Sequence, residues 1–175
     1  MSVTSYAFIE FRYPSDSNWV MAARLQLYGD VDVYRVLAWP WGPWDPKTDE
    51  RPGPIVKPRG IPKDLSLQAL HEYAWMVGKK EAGEYRILSP SEAKKRRCKP
   101  YRSGYVVDPR EWRCSTWLTT TEVAKACGVY TTAQPHRRSS PELEGVRAMM
   151  QAIEMHGPTI LHQGSTVARL VCWFD

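Results

Sequence analysis

The alternation of apolar and polar residues along the chain predicts an α+β fold. Residues 6–13 read as a strand that is mostly apolar on both faces, and residues 19–27 alternate loosely. With the turn-forming sequence PSDSN between them, they predict a β-hairpin over residues 5–27. The first strand and residues 166–174 are mostly apolar, so we expect both strands inside one sheet, beside each other. The expected fold is a small antiparallel sheet, including the N-terminal hairpin and the C-terminal strand, packed against three to four helices.

Capping signals and helical spacing predict where the helices lie. Ser89 with Glu92, and Thr119 with Glu122, match the capping box, in which the hydroxyl and the carboxylate each accept a backbone N–H of the first turn. Pro100 would end the helix that Ser89 opens. The predicted helices cover residues 31–39, 64 or 66 to 77, 92–99, 120–127 and 141–156, with a loop over 128–139.

The chain is organised around residues 113–123, which read RCSTWLTTTEV. Trp117 and Leu118 precede the capped helix, and we expect both in the core. Cys114 stands next to Arg113 just before that helix, a position that can lower the pKa of a thiol. No histidine lies nearby in the sequence, so an inert, partly buried thiol is the favoured interpretation.

Residues 40–62 hold seven prolines, which exclude a regular helix or strand. The segment also carries Trp41 and Trp44 together with cations that include Lys57 and Arg59. Long loops within a domain are often functional, and aromatic rings beside cations suit a binding lid. A solvated, semi-rigid spacer is an equally weighted alternative.

Residues 79–107 form a second unusual segment. Its predicted helix places five cations within the six residues 94–99, and Arg102 follows. Such a cluster can hold phosphates by charge and by arginine forks, whereas a solvated basic face at a helix C-terminus is the alternative. We expect a single domain over residues 1–175, with a proline-rich loop at 40–62 and a basic insertion at 79–107.

The composition favours anionic partners and gives no sign of a cofactor. The net charge of +5 and the pI near 9.1 suit nucleotides, nucleic acid or an acidic protein face, although solubility alone also explains a charge of this size. The four cysteines lack a C-x-x-C pair and the four histidines are widely spaced, so we expect reduced thiols, no metal site and no cofactor.

No apolar run approaches the roughly 20 residues that span a bilayer, and the first residues lack a secretory signal, so we expect no membrane association.

No motif of a known catalytic class is present in the sequence. It lacks a dinucleotide-binding glycine motif, a P-loop, a nucleophile elbow, a zinc-protease helix motif and an EF-hand loop. We therefore predict a protein that is not an enzyme and has no catalytic residues.

Three segments of the chain carry a resemblance to other proteins. They read KPRGIPKDLS at 57–66, STWLTTTE at 115–122 and RLVCWFD at 169–175, with YRVLA at 34–38 as a further piece. They resemble a family of uncharacterised proteins of tailed bacteriophages and prophages, over about a third of the chain. Members often have Asp-Ile-His near the first strand and Asp-x-His before the Ser-x-Trp-Leu motif, where this chain has Ser5-Tyr6-Ala7 and Glu111-Trp112-Arg113. The resemblance implies a phage accessory protein that works in the host bacterial cytoplasm. If the histidines of the other members bind something, this protein has lost that role. No activity is established for the family.

Together, the resemblance and the two basic, aromatic segments predict a phage-encoded, non-catalytic binding protein that counters bacterial host defence. It would capture an anionic nucleotide-type signal or block a defence protein. The alternatives are a nucleic-acid-binding accessory protein and, more weakly, a nucleotide-processing enzyme. The oligomeric state stays open, a homo-oligomer included. The predicted ligand-binding residues are Lys94, Lys95, Arg96, Arg97, Arg102, Trp41, Trp44 and Arg59.

Overall fold

The computed structural model describes residues 4–28, 33, 36–37, 55–78, 86–102, 104–133, 140–156 and 166–174. These residues form two β-sheets and four helices. Residues 33, 36 and 37 are also helical. The strands are β1 (Thr4–Arg12), β2 (Val20–Tyr28), β3 (Trp75–Val77), β4 (Ile87–Leu88), β5 (Lys99–Arg102), β6 (Tyr105–Val107), β7 (Thr116–Thr119) and β8 (Val167–Phe174). The helices are α1 (Leu67–Tyr73), α2 (Pro90–Arg96), α3 (Thr120–Ala133) and α4 (Pro141–His156).

The first sheet is antiparallel throughout, in the order β2-β1-β8-β7. The β1–β2 hairpin and the position of β8 beside β1 are as the alternation predicted. Because β1 lies between two strands and both faces of the sheet are covered, Ala7 and Ile9 on one side and Phe8 on the other have no exposed surface. The predicted α+β class is confirmed.

Each face of the first sheet is covered by its own core. One face packs against α3 and α4, with Leu143, Val146 and Met150 of α4 buried. The other face packs against α1 and the second sheet through a cluster of aromatic rings. The rings are Tyr6, Phe8, Tyr73, Trp112 and Trp173, and the Trp112 and Trp173 centroids stack at 4.2 Å.

The second sheet is built partly from residues that were predicted as helix. Its order is β4-β3-β6-β5, with β3 and β4 parallel and the other pairs antiparallel. The predicted helix to Val77 is wrong, since α1 ends at Tyr73 and Ala74 is already extended (φ −99°, ψ 158°). β3 pairs with β6 instead, and the Trp75 indole donates to Glu111 at 3.1 Å. These tertiary contacts outweigh the helical preference that the spacing of apolar residues up to Val77 indicated.

Helix α2 has the predicted capping box but ends earlier than predicted. Ser89 Oγ accepts the N–H of Glu92 at 3.3 Å, and the Glu92 carboxylate accepts the N–H of Ser89 at 2.9 Å. Arg97 closes the helix in the left-handed region, at φ 57°. Lys99 and the following residues belong to β5, so the predicted helix over 92–99 is too long at its C-terminal end.

Helix α3 is longer than the predicted helix over 120–127. It continues through Gly128 to Ala133, where a loop was predicted. Ala126 and Cys127 are buried in the core that α3 shares with α4. This burial offsets the roughly 1 kcal/mol by which a glycine disfavours a helix relative to alanine.

The residues just before α3 form the edge strand β7. Leu118 is buried on the α3 and α4 side, as predicted. Trp117 points to the other side of the sheet, where it is only half-buried against the aromatic core. The alternation of β7 therefore separates two residues that were both predicted to lie in the core.

Candidate functional site

Residues 57–66 and 115–122, the first two of the segments singled out in the sequence, are fixed to each other. Arg59 contacts the Glu122 carboxylate through both of its terminal nitrogens, at 2.9 and 2.5 Å. The same guanidinium lies over the Trp117 ring, 4.3 Å from the centroid. The Gly60 N–H donates to the Ser115 carbonyl at 3.0 Å, and Gly60 holds φ 76°, a value that favours glycine.

A buried ion triad fixes the first segment to the third. Arg169 donates to Glu10 at 2.8 Å and to Asp64 at 2.7 Å, and its guanidinium lies 3.8 Å from the centroid of the Trp19 ring. Glu10 has no exposed surface, and its other oxygen accepts the Ser66 N–H at 2.7 Å. Burial favours the neutral form of Asp64, but its bonds to Arg169 outweigh burial and lower its pKa below the ordinary value.

These contacts assign the three segments to the framework of the protein. Glu122 also completes the predicted capping box, because it accepts the Thr119 N–H at 2.9 Å while Thr119 Oγ1 accepts the Glu122 N–H at 3.3 Å. Burial works against the charge of Glu122, yet its hydrogen bonds to Arg59 and Thr119 lower its pKa. Arg59 thus holds a helix start in place, and its use by a ligand stays a prediction.

Two more of the predicted ligand-binding cations make internal contacts. Arg96 binds the Glu111 carboxylate at 3.2 Å and lies 5.0 Å from the centroid of the Trp75 ring. Arg102 donates to the Leu65 carbonyl at 3.0 Å. Both side chains join parts of the fold that are distant in sequence, so a ligand would have to compete with these contacts.

The remaining predicted cations face solvent. Lys94, Lys95 and Arg97 are exposed on α2 and at its end, and none of them lies within ion-pair distance of a carboxylate among the described residues. They are therefore open to an external anion. Trp41 and Trp44, the predicted aromatic partners, lie outside the described residues.

Residues 107–113 contribute to three clefts on the described surface. The aromatic cleft, of about 350 Å³, contains the ion pair of Arg86 with Glu111 at 2.9 Å beside the stacked rings of Trp112 and Trp173. The mixed-charge cleft, of about 680 Å³, has four cations and three carboxylates in its lining. In both clefts, carboxylates already neutralise part of the positive charge.

The third cleft differs from the other two because no carboxylate of the described residues belongs to its lining. It measures about 510 Å³, and we call it the lysine cleft after Lys63 and Lys99, which are both exposed. Tyr101 and Trp112 supply aromatic surface in the same lining. The lysine cleft therefore combines uncompensated positive charge with apolar rings.

The two sides of the lysine cleft are joined by hydrogen bonds. The Tyr101 hydroxyl of β5 donates to the carbonyl of Pro62, next to Lys63. Burial raises the pKa of Tyr101, which keeps this hydroxyl protonated as a donor. Together with the bond from Arg102 to Leu65, this contact holds the loop before α1 against β5.

A tight turn at Asp108 shapes the wall between the clefts. The Asp108 carboxylate accepts the Arg110 backbone N–H at 2.9 Å and the Arg110 guanidinium at 2.9 and 3.1 Å, and these bonds lower the pKa of Asp108. The Asp108 carbonyl accepts the N–H groups of Glu111 and Trp112 at 3.0 and 3.1 Å. The side chains of this turn are therefore fixed relative to β6.

The thiols give no support to nucleophilic chemistry. Burial raises the pKa of Cys98, Cys127 and Cys172, which disfavours the reactive thiolate. Cys114, whose reactivity was considered from the sequence, is half-buried at φ 52° and packs beside the core of α3 and α4. Its surroundings match the inert interpretation.

The predicted list of ligand-binding residues omitted Lys63, Lys99 and Tyr101, although Lys99 was counted in the basic cluster over residues 94–99. Lys63 lies within a framework segment, and Lys99 was assigned to a helix. The two lysines share a cleft only because β5 packs against a loop far away in sequence. Tyr101 beside the cations was the available signal, but its partner Pro62 had no sequence signature.

No protein-family model, curated protein or solved structure matches this chain. Among the residues that the structure describes, no group of three or more histidine, cysteine or carboxylate side chains is arranged to hold a metal ion. No helix in this part of the chain is both long and apolar enough to cross a membrane. The lysine cleft and the exposed cations of α2 are the candidate sites that the geometry supports.

Proposed function

We propose that this protein is a non-catalytic binding protein that captures an anionic, nucleotide-type ligand. The proposal depends on one observation, a set of exposed cations that form no ion pair with a carboxylate of the described residues, although Lys95 shares the mixed-charge cleft with three carboxylates. Cations of this kind attract anions and bind phosphate oxygens without any chemical step. They include Lys94, Lys95 and Arg97 of the α2 region, Lys99 of β5 and Lys63 of the loop before α1.

The arginines support this interpretation by contrast. Seven of them bind carboxylates within the described residues, so a ligand could recruit them only by breaking an ion pair. They are Arg24, Arg59, Arg86, Arg96, Arg110, Arg147 and Arg169.

The resemblance to phage proteins supplies the biological setting of the proposal. In the cytoplasm of an infected bacterium, a protein that binds a nucleotide signal tightly would withhold it from a defence system. The same cations would suit an acidic face of a defence protein, which is the other form of the hypothesis. Either role needs binding and no turnover.

Thermal shift and isothermal titration calorimetry test the proposal. The panel consists of nucleoside monophosphates, nucleoside triphosphates and cyclic dinucleotides. We expect at least one of them to raise the melting temperature and to be recovered chemically intact after the complex is denatured. No response to the whole panel would contradict ligand capture, and recovery of a converted ligand would indicate an enzyme.

A second candidate function, nucleic-acid binding, is favoured by the position of the α2 cations. Lys94, Lys95 and Arg97 lie on an exposed helical surface, outside the lining of the lysine cleft, and such a surface can follow a phosphate backbone. We then expect an electrophoretic mobility shift on DNA or RNA whose affinity falls steeply with added salt. An absent or salt-independent shift would remove this candidate.

A further inference from the structure

We infer that the lysine cleft is the ligand site, and that it takes a small molecule with a phosphate group and a planar aromatic ring, as in a nucleoside phosphate. The inference rests on the proposed function and places it at residues outside the basic cluster of α2. It also names the two parts of the ligand that the cleft would contact.

The charge of the cleft selects the anionic part of the ligand. Lys63 and Lys99 are exposed, and in the part of the chain that the structure describes no carboxylate lines the cleft or pairs with either lysine. An anion that enters the aromatic cleft instead meets Arg86 already bound to Glu111 at 2.9 Å. Binding there must compete with an existing ion pair, whereas the lysine ammonium groups exchange only water for phosphate oxygens.

The remaining lining selects the planar part of the ligand. The half-buried Tyr101 ring offers aromatic surface, whereas Trp112 is buried and already stacks on Trp173 at 4.2 Å. Val107, Pro100 and Pro109 line the cleft with aliphatic groups. Nucleobases stack on aromatic side chains and tolerate aliphatic neighbours. The volume of about 510 Å³ is within the range of about 300–1,000 Å³ that small-molecule sites occupy.

The cleft is built before any ligand arrives. Tyr101 and Arg102 of β5 bind the carbonyls of Pro62 and Leu65, on either side of Lys63. At the other end of the same loop, the Arg59 N–H binds Thr116 Oγ1 at 3.3 Å. Because both ends of the loop are fixed, binding would cost little ordering of the backbone that carries Lys63.

The experiment compares three multiple-alanine variants by calorimetry with the same nucleotide panel. The cleft variant combines Lys63→Ala with Lys99→Ala, and the helix variant combines Lys94→Ala, Lys95→Ala and Arg97→Ala. Two further arms, inorganic pyrophosphate and free nucleosides, separate the phosphate and the ring contributions. The matched control combines Lys57→Ala with Lys125→Ala, which removes two charges from exposed positions outside the cleft lining.

We expect the cleft variant to weaken nucleotide binding at least about tenfold, since it removes charge-assisted contacts. The control should change the dissociation constant by less than about twofold, because distant surface charges are screened by salt. Pyrophosphate and free nucleosides should each bind more weakly than the intact nucleotide.

The outcomes separate this inference from the proposed function. If the helix variant abolishes binding while the cleft variant binds as the wild type does, the ligand site is α2 and this inference is overturned, but the proposed function stands. If pyrophosphate binds as tightly as any nucleotide, the ring has no role and the ligand class is wrong. If no nucleotide binds the wild-type protein, both proposals fail.

Discussion

The buried ion triad around Arg169 and the lysine cleft both contain positive charge, yet they place it in opposite surroundings. The Arg169 side chain is 5% exposed and contacts two carboxylates, Glu10 and Asp64. Lys63 and Lys99 are exposed and face no carboxylate in their cleft. The charge of the triad is therefore used within the fold, while the charge of the cleft remains available to a ligand.

This difference separates residues that determine the fold from residues that offer a function. The triad joins β1, β8 and the loop before α1, three parts of the chain whose register must agree. Substitutions there should reduce stability. Substitutions of Lys63 and Lys99 should change stability little and affect only what the protein binds.

The largest expected effect is the loss of the buried arginine. Replacing Arg169 with alanine should lower the free energy of unfolding by about 3–5 kcal/mol, because Glu10 stays buried without its charged partner. Urea denaturation measures this value. Arg147→Ala is the control, since it breaks a surface pair with Glu144 at 2.8 Å and should cost less than about 1 kcal/mol.

Similar losses in the two variants would contradict a special role for the triad. If Arg169→Ala does not fold, Asp64→Asn provides the second test. Its side chain is 54% exposed, so the loss should be smaller than for Arg169→Ala but larger than for the surface control.

A second prediction concerns acid. The pKa values of Asp64, Asp108 and Glu122 are lowered in the folded protein. The three carboxylates therefore stabilise the fold at a pH above their ordinary pKa values of 3.8, 3.8 and 4.5. This stabilisation is lost as the pH falls through their lower pKa values in the folded protein. We expect the free energy of unfolding to fall progressively as the pH is lowered from about 5 towards about 2. Denaturant titrations across this range measure the slope.

Asp108→Asn gives the sharpest form of the acid prediction, because the Asp108 side chain is only 2% exposed and its oxygens bind Arg110. This variant should be less stable than the wild type near neutral pH and should show a shallower acid slope. Asp16→Asn, at an exposed turn position, controls for the loss of one carboxylate. An unchanged slope in Asp108→Asn would show that Asp108 does not contribute to acid sensitivity.

A third, smaller effect is expected where Arg59 meets the start of α3. Glu122→Ala removes both a helix cap and an ion pair, and it should cost about 1–2 kcal/mol. Arg59→Ala removes the ion pair, the ring contact and a hydrogen bond to the Trp117 carbonyl at 3.1 Å, but it leaves the helix cap in place, so the loss should be smaller. A double-mutant cycle measures the coupling, and additive losses would show that the contact contributes nothing.

The contrast between framework and cleft also explains what could be predicted from the sequence. Local signals were sufficient for the β1–β2 hairpin and for the capping boxes at Ser89 and Thr119, because neighbouring residues form these features. The apolar character of residues 166–174 also correctly indicated an interior strand beside β1.

Long-range contacts account for the failures. Helical spacing from Leu67 to Val77 predicted one helix, but pairing of β3 with β6 and the bond from Trp75 to Glu111 end it at Tyr73. The basic run at 94–99 looked uniform in sequence. Packing divides it, because the Arg96 side chain turns towards carboxylates while Lys94 and Lys95 stay exposed.

The smallest expected effect on stability belongs to the lysine cleft. The cleft variant, which combines Lys63→Ala with Lys99→Ala, should change the free energy of unfolding by no more than about 0.5 kcal/mol, because both side chains are exposed and lack carboxylate partners. Urea denaturation of the unliganded protein checks this, beside the Lys57→Ala and Lys125→Ala control. A loss above about 2 kcal/mol would show that these lysines support the fold, since ordinary surface changes cost far less. Unchanged stability combined with lost nucleotide affinity would instead mark the two lysines as residues retained for binding, in contrast to Arg169.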